Sequence, residues 1–138
     1  TKKPVLLKRD RAATIDEWFM AAEYIAAQGN PNISLCARGI RTNEGKMRIT
    51  LDLSAIPVVK QVWHLPIIVD SSHATGHRSW VVPMARAGVA AGADGRILKS
   101  TTNPPEALSD GPQSLTLPHF RELVESLRVV ALTIGRRV

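Results

Sequence analysis

The sequence predicts an α/β fold of four consecutive βα units, equivalent to half of a closed (β/α)8 barrel, and three observations carry that expectation. Short aliphatic runs alternate with segments of helical periodicity along the whole chain. Polar residues follow each strand-like run, as they do where parallel strands end at a ligand-bearing edge. The length, 138 residues, is about half of the roughly 250 that a closed barrel takes. A small doubly wound sheet is the alternative, but no G-x-G-x-x-G turn follows any strand-like run. The expected organisation is therefore one partial barrel domain over residues 1–138.

Pro4–Lys8 (P-V-L-L-K) reads as the first buried strand. Thr14 and Glu17 then have the spacing of a capping box, in which hydroxyl and carboxylate satisfy each other's orphan N–H groups. Ile15, Phe19, Ala22 and Ile25–Ala26 give the helix that follows an apolar stripe, and Gly29 with Pro31 stops it. Ile33–Cys36 is the second strand, followed by a polar loop through R-G-I-R-T-N-E-G-K. A helix is expected over about Ser54–Val62, with Pro57 tolerated in its first turn. Leu65–Val69 is the third strand, and the next helix runs from near Ser79 to Ala91, closed by Gly92. Ala93–Asp94–Gly95 turns the chain into a fourth strand, Arg96–Lys99. After the loop Thr101–Ser114, a last helix begins at Leu117 and reaches about Val130, with Pro118 suited to its first turn.

Apolar residues make up 44 % of the chain and the mean hydropathy is −0.03, values of a globular chain with a core rather than of a disordered one. The formal charge is +6. Basic residues are scattered apart from short groups at the two ends, and aromatics are only 4 %, so no base-stacking platform is present and a nucleic-acid partner is disfavoured. An anionic small-molecule substrate accounts for the same excess. One cysteine, Cys36, excludes an internal disulfide and a cysteine-only zinc site. No run approaches the roughly 20 apolar residues of a membrane span, and no signal-peptide pattern is seen, so a cytoplasmic setting without a membrane partner is expected. Thr1 stands just before the first strand-like pattern, which suggests a piece of something longer.

Four strand ends collect the chemistry: Lys8–Arg9, Arg38, Asp70–Ser71–Ser72–His73 and Lys99–Ser100. If the strands are parallel, these groups meet on one face. Arg and Lys there suit phosphate or carboxylate, since Arg offers a planar fork of donors and Lys a compact charge. Lys8 and Arg9 read equally well as solvated strand-end charges. Arg38, between a buried run and a glycine, favours a ligand-binding role, and His73 is balanced between a structural and a reactive role. His64, at the start of a strand, reads as structural, His77 and His119 as surface residues, and Cys36 as a small core residue.

The ordered segments L-L-K-R (6–9), A-T-I-D-E-W (13–18), A-A-E-Y-I (21–25), G-N-P-N (29–32), C-A-R-G-I-R-T (36–42), L-D-L-S-A-I-P (51–57), D-S-S-H-A-T-G (70–76), A-G-A-D-G (91–95) and L-S-D-G-P-Q-S-L (108–115) resemble 3-deoxy-D-arabino-heptulosonate 7-phosphate synthase. The likeness is to the short bacterial and archaeal subtype, runs from about Pro4 to Leu127, and corresponds to the C-terminal half of that family. The sister family, 3-deoxy-manno-octulosonate 8-phosphate synthase, shares the barrel, but the R-G-I-R-T wording favours the first. The resemblance implies an aldol-type transferase of the shikimate pathway, the entry step to aromatic amino acids, which joins phosphoenolpyruvate to erythrose 4-phosphate in a (β/α)8 barrel. It implies that Lys8 and Arg38 hold the carboxylate and phosphate of phosphoenolpyruvate, with Lys8 and His73 at the reacting centre. It also implies a divalent metal (Mn, Zn or Fe), with His73 and Asp110 as two of four ligands, that polarises the aldehyde carbonyl as a Lewis acid. Arg41 and Thr42 continue the matching loop without an assigned role.

Several departures bear on that reading. The glycine-proline-cysteine segment carrying the family's metal-binding cysteine has no counterpart in these residues, nor has the lysine-proline-arginine segment that binds erythrose 4-phosphate. Cys36 matches a different cysteine. The metal-binding glutamate falls at Lys99, and the histidine expected two residues later at Thr101. Ala37 replaces an acid, Asp10 a glycine and Ser71 a proline. An ammonium in the ligand shell of a cation turns attraction into repulsion, about 4 kcal/mol per unit-charge pair at 4 Å and an effective dielectric near 20. The expectation is that this chain alone binds no catalytic metal, with the Lys99 ammonium paired to Asp110 as a narrower possibility. Two free strand edges would require a missing N-terminal half or a second copy to close the barrel. A half-synthase inactive by itself is one reading. A non-catalytic half-barrel that retains an anion site or serves as an interaction module is the other.

Overall fold

The computed structural model describes residues 1–137. Its elements follow in the order β1 (Val5–Lys8), α1 (Ile15–Ala27), β2 (Ile33–Ala37), α2 (Ala55–Val62), β3 (Ile67–Asp70), α3 (Ser71–Thr75), α4 (Arg78–Ala90), β4 (Gly95–Ile97) and α5 (Leu117–Thr133), with two 3₁₀ turns, Pro104–Glu106 and Gly111–Gln113, before α5. The differences from the sequence expectation that bear on the site lie in β3, α3 and β4. The third strand runs Ile67–Asp70 rather than Leu65–Val69, and a single helical turn, α3, follows it directly. One turn is too short to leave a periodic signature. The fourth strand ends at Ile97, so Lys99 lies beyond it.

All four strands are parallel, and their spatial order is β1-β2-β3-β4. Each strand neighbours the next in sequence, so there is no reversal of order of the kind that defines a doubly wound sheet. Consecutive βα units wound in one direction are the architecture of a (β/α)8 barrel, and four of them are present.

Alternation along the strands separates two faces. Leu35, Ala37, Ile67 and Val69 are buried and pack with Trp18 and Ala22 of α1 and with Ile56 and Val59 of α2. A second cluster joins Val81, Ala85 and Val89 of α4 to Leu123, Leu127 and Ala131 of α5. Gly88 brings α4 onto β3, where an added Cβ would stand 3.4 Å from Val69. On the opposite face, Leu6 and Lys8 of β1 are exposed. Among the described residues, β1 and β4 have no strand on their outer sides.

Local signals account for the helix ends. The capping box at Thr14 forms, with Glu17 N–H donating to Thr14 Oγ1 and Thr14 N–H to the Glu17 carboxylate. Thr116 Oγ1 accepts from His119 N–H at the start of α5.

Candidate functional site

Because the strands are parallel, their carboxyl ends lie on one edge, and the sequence-predicted groups arrive there from the ends of all four strands. Lys8 is the last residue of β1, Arg38 follows β2, Asp70 closes β3, His73 lies in α3, and Lys99 follows β4. Asp110 comes from the long loop before α5.

Asp70 joins two of these groups. Its carboxylate is fully buried, accepts from Lys8 Nζ at 2.8 Å and from the His73 backbone N–H at 3.0 Å, and lies 2.6 Å from His73 Nδ1. Burial pushes this carboxyl up, but the hydrogen bonds from Lys8 and from the His73 backbone and ring outweigh it and hold the group below its ordinary value. An ionised carboxylate only accepts, so His73 Nδ1 donates to Asp70 and the ring turns Nε2 away from it. Nε2 lies 3.4 Å from Asp110 Oδ2.

The same Asp110 oxygen accepts from Lys99 Nζ. Gln113 Nε2 donates to its other oxygen at 2.7 Å. The hydrogen bond from Lys99, aided by its charge and by the nearness of His73, holds the Asp110 carboxyl below its usual range against the opposing effect of desolvation. The contacts thus run without a break from Lys8 through Asp70, His73 and Asp110 to Lys99. The Asp110 backbone is left-handed, with φ of 59°, a conformation that Asp tolerates better than most residues. Arg78 of α4 secures this loop, donating to the Ser114 carbonyl at 2.6 Å and the Gly111 carbonyl at 3.1 Å. Lys99 N–H donates to Ser72 Oγ at 3.0 Å, which ties residue 99 to the turn carrying His73.

Arg38 touches none of these groups by hydrogen bond, and its buried Nε has no partner among the described residues. It follows β2 on the same edge, and its charge, like those of Asp70 and Lys8, acts on Cys36. Burial, aided by Asp70, pushes that thiol up to about 11 against the two cations. Cys36 is fully buried and stays protonated at neutral pH, a core residue as expected. Gly39 turns the chain after Arg38 with φ of +97°, where a Cβ would press on Ile49 and the Thr50 carbonyl.

Arg9 does not join the site. It is buried, donates to Asp52 at 2.9 Å and to the Ala13 carbonyl at 3.0 Å, and lies 5.9 Å over the Trp18 ring. This is a fastening of β1 to α1 and to the segment before α2, and it corrects the reading of Arg9 as a solvated strand-end charge. Lys8 is not free in solvent either, since it pairs with Asp70. Arg41 and Thr42 are exposed, as are His64, His77 and His119. Sequence reading assigned no role to Asp70, Gln113 or Arg78. The D-x-x-H spacing, an acid capping the turn that bears the histidine, was the one available signal for Asp70.

The donor set does not fit a divalent metal. Among the described residues, no three of His, Cys, Asp or Glu converge on one point, and the two candidates, His73 and Asp110, share their space with an ammonium. Structural and catalytic sites for such ions use three or more protein ligands. What the arrangement offers chemically is positive: Lys8, Arg38 and Lys99 stand on one edge, with an imidazole oriented by Asp70. No helix among the described residues is long and apolar enough to cross a membrane.

Residues 1–133 match the family model described as DAHP synthetase I family. A phospho-2-dehydro-3-deoxyheptonate aldolase of Thermotoga maritima is 50 % identical over 136 residues, 99 % of this chain and 40 % of that protein. A 2-dehydro-3-deoxyphosphooctonate aldolase of Desulfosudis oleivorans is 33 % identical over 138 residues, covering 92 % of this chain and 49 % of that protein. Among solved structures, a truncated form of the Thermotoga maritima 3-deoxy-D-arabino-heptulosonate 7-phosphate synthase superposes with a TM-score of 0.97 at 50 % identity, over 99 % of this chain and 52 % of the other. The chain spans about half the length of the relatives it matches, or less.

Proposed function

The chain belongs to the DAHP synthetase I family, and from that premise we propose that it supplies the C-terminal half of a heptulosonate-phosphate synthase-like barrel with no turnover of its own. Phosphoenolpyruvate and erythrose 4-phosphate are the substrates of this reading, and a polypeptide carrying the N-terminal half, or a second copy, is the partner that completes it. Lys8 and Arg38 would hold the carboxylate and phosphate of phosphoenolpyruvate. Arg38 supports this with a buried Nε that has no partner among the described residues, because a guanidinium pairs readily with a planar or tetrahedral oxyanion. His73 and Asp110, metal ligands by resemblance, do not make a metal site in this chain, and no step is assigned to one.

The observation that carries the absence of turnover is the ion pair between Lys99 and Asp110. The ammonium holds a carboxylate that a metal would need. The alternative, a non-catalytic half-barrel that keeps its anion site, draws on the same Arg38 and Lys8 and differs only in what completes it.

Calorimetric titration with phosphoenolpyruvate tests the anion site. The 138-residue chain is expected to bind it, and Arg38→Ala to weaken binding about tenfold or more, the scale of one charge-assisted hydrogen-bond pair. Equal affinity in the two proteins would remove Arg38 from the site. Product formation from both substrates and Mn²⁺ by this chain alone would overturn the claim that it does not turn over.

A further inference from the structure

We infer that the Lys99 ammonium is the resident cation of this site, that it closes the site to divalent ions, and that replacing Lys99 opens the site to one. The inference needs the strand-end geometry but not the identity of any substrate, so failed phosphoenolpyruvate binding would leave it standing.

The argument starts from Asp110. One of its oxygens receives both Lys99 Nζ and, at 3.4 Å, His73 Nε2. A cation, an imidazole nitrogen and a carboxylate therefore meet at one point. The imidazole is oriented as a metal-binding histidine is: Nδ1 is held by the Asp70 carboxylate at 2.6 Å, which turns Nε2 toward Asp110. Asp110 is likewise held, by Gln113 on its second oxygen and by a loop that Arg78 anchors. Two well-oriented ligands are in place, and the third position carries the wrong charge.

Residue 99 is itself fixed. Its N–H donates to Ser72 Oγ, so a different side chain there starts from the same place and heads for the same carboxylate. A glutamate side chain is one bond shorter than lysine, and a metal stands about 2.0–2.2 Å beyond a carboxylate oxygen. Lys99→Glu would thus replace the ammonium beside Asp110 by a carboxylate, which with Asp110 and His73 could hold the ion.

The test is Mn²⁺ binding, read from the loss of the electron paramagnetic resonance signal of the free aqua ion. It uses the 138-residue chain, Lys99→Glu, and Lys99→Glu combined with His73→Ala. The natural chain is expected to show no stoichiometric site at micromolar Mn²⁺. Lys99→Glu is expected to bind about a hundredfold more tightly, since a repulsive charge is replaced by an attractive ligand, and the His73→Ala double variant to lose that gain. A micromolar site in the natural chain that depends on His73 and Asp110 would overturn the inference. So would a folded Lys99→Glu protein, with unchanged circular dichroism, that gains less than about tenfold. Should Lys99→Glu not fold, Lys99→Gln takes its place, with a gain of about tenfold expected from removal of the ammonium alone and no gain overturning the inference.

Discussion

The Asp70 carboxylate is fully buried at the end of β3, and three donors converge on it: Lys8 Nζ, the His73 backbone N–H and His73 Nδ1. Removing its charge leaves Lys8 without its partner and the His73 ring without its orientation. Asp70→Asn is expected to cost about 2 kcal/mol, less than a wholly buried pair because Lys8 keeps access to water, and chemical denaturation at neutral pH measures it. The folded carboxyl titrates below its ordinary value, so its contribution is complete above pH of about 4 and is lost as pH falls through the lower folded value. Acid denaturation of Asp70→Asn should lack that component, and an unchanged acid profile would contradict the role. The placement of Lys8, Arg38, His73 and Lys99 at strand ends was legible because each follows a strand-like run, and Asp110 sits in a recognisable segment. Their partners were not. Lys8 meets Asp70 across 62 positions and Arg9 meets Asp52 across 43, and nothing local in a sequence announces such pairs.

At the scale of elements, the helix caps, the long helices and the strand order followed from signals with a clear physical origin. The exceptions lie at the site. The turn α3 escapes any periodicity argument, and β4 is a three-residue strand whose end was read two residues too far. Its start is fixed instead by Asp94, whose carboxylate accepts from the Ile67 N–H at 2.9 Å and from Lys60 and Arg136. The A-G-A-D-G segment was recognisable as a turn, but the clip its acid makes to β3 was not. The loop bearing Asp110 is shaped by Gly111, where an added Cβ would run into the Pro104 carbonyl. Gly111→Ala must therefore move one 3₁₀ turn off the other. A loss of about 1–3 kcal/mol is expected, the usual scale of a forced overpacking, together with displacement of Asp110 from Lys99. Thermal unfolding with a crystal structure of the variant would check both parts, and an unshifted loop would show that the Gly111 contact does not set the position of Asp110.

For the whole molecule, four βα units in sequential order place every strand end on one edge, which is why a site can be assembled from residues 8 to 110 without any local cluster. The same order leaves β1 and β4 without outer neighbours among the described residues and Leu6 exposed on the face that a closed barrel would cover. The chain spans about half the length of the relatives it matches, or less, and the proposed use of phosphoenolpyruvate without turnover rests on one geometric claim: that an anion site persists while an ammonium holds the cation position. Crystals of the chain grown with phosphoenolpyruvate and Mn²⁺, with anomalous diffraction collected at the manganese edge, test that claim most directly. The account predicts density for the ligand on Lys8 and Arg38, Lys99 on Asp110, and no anomalous peak beside His73. A manganese peak between His73 Nε2 and Asp110, with Lys99 swung away, would contradict it.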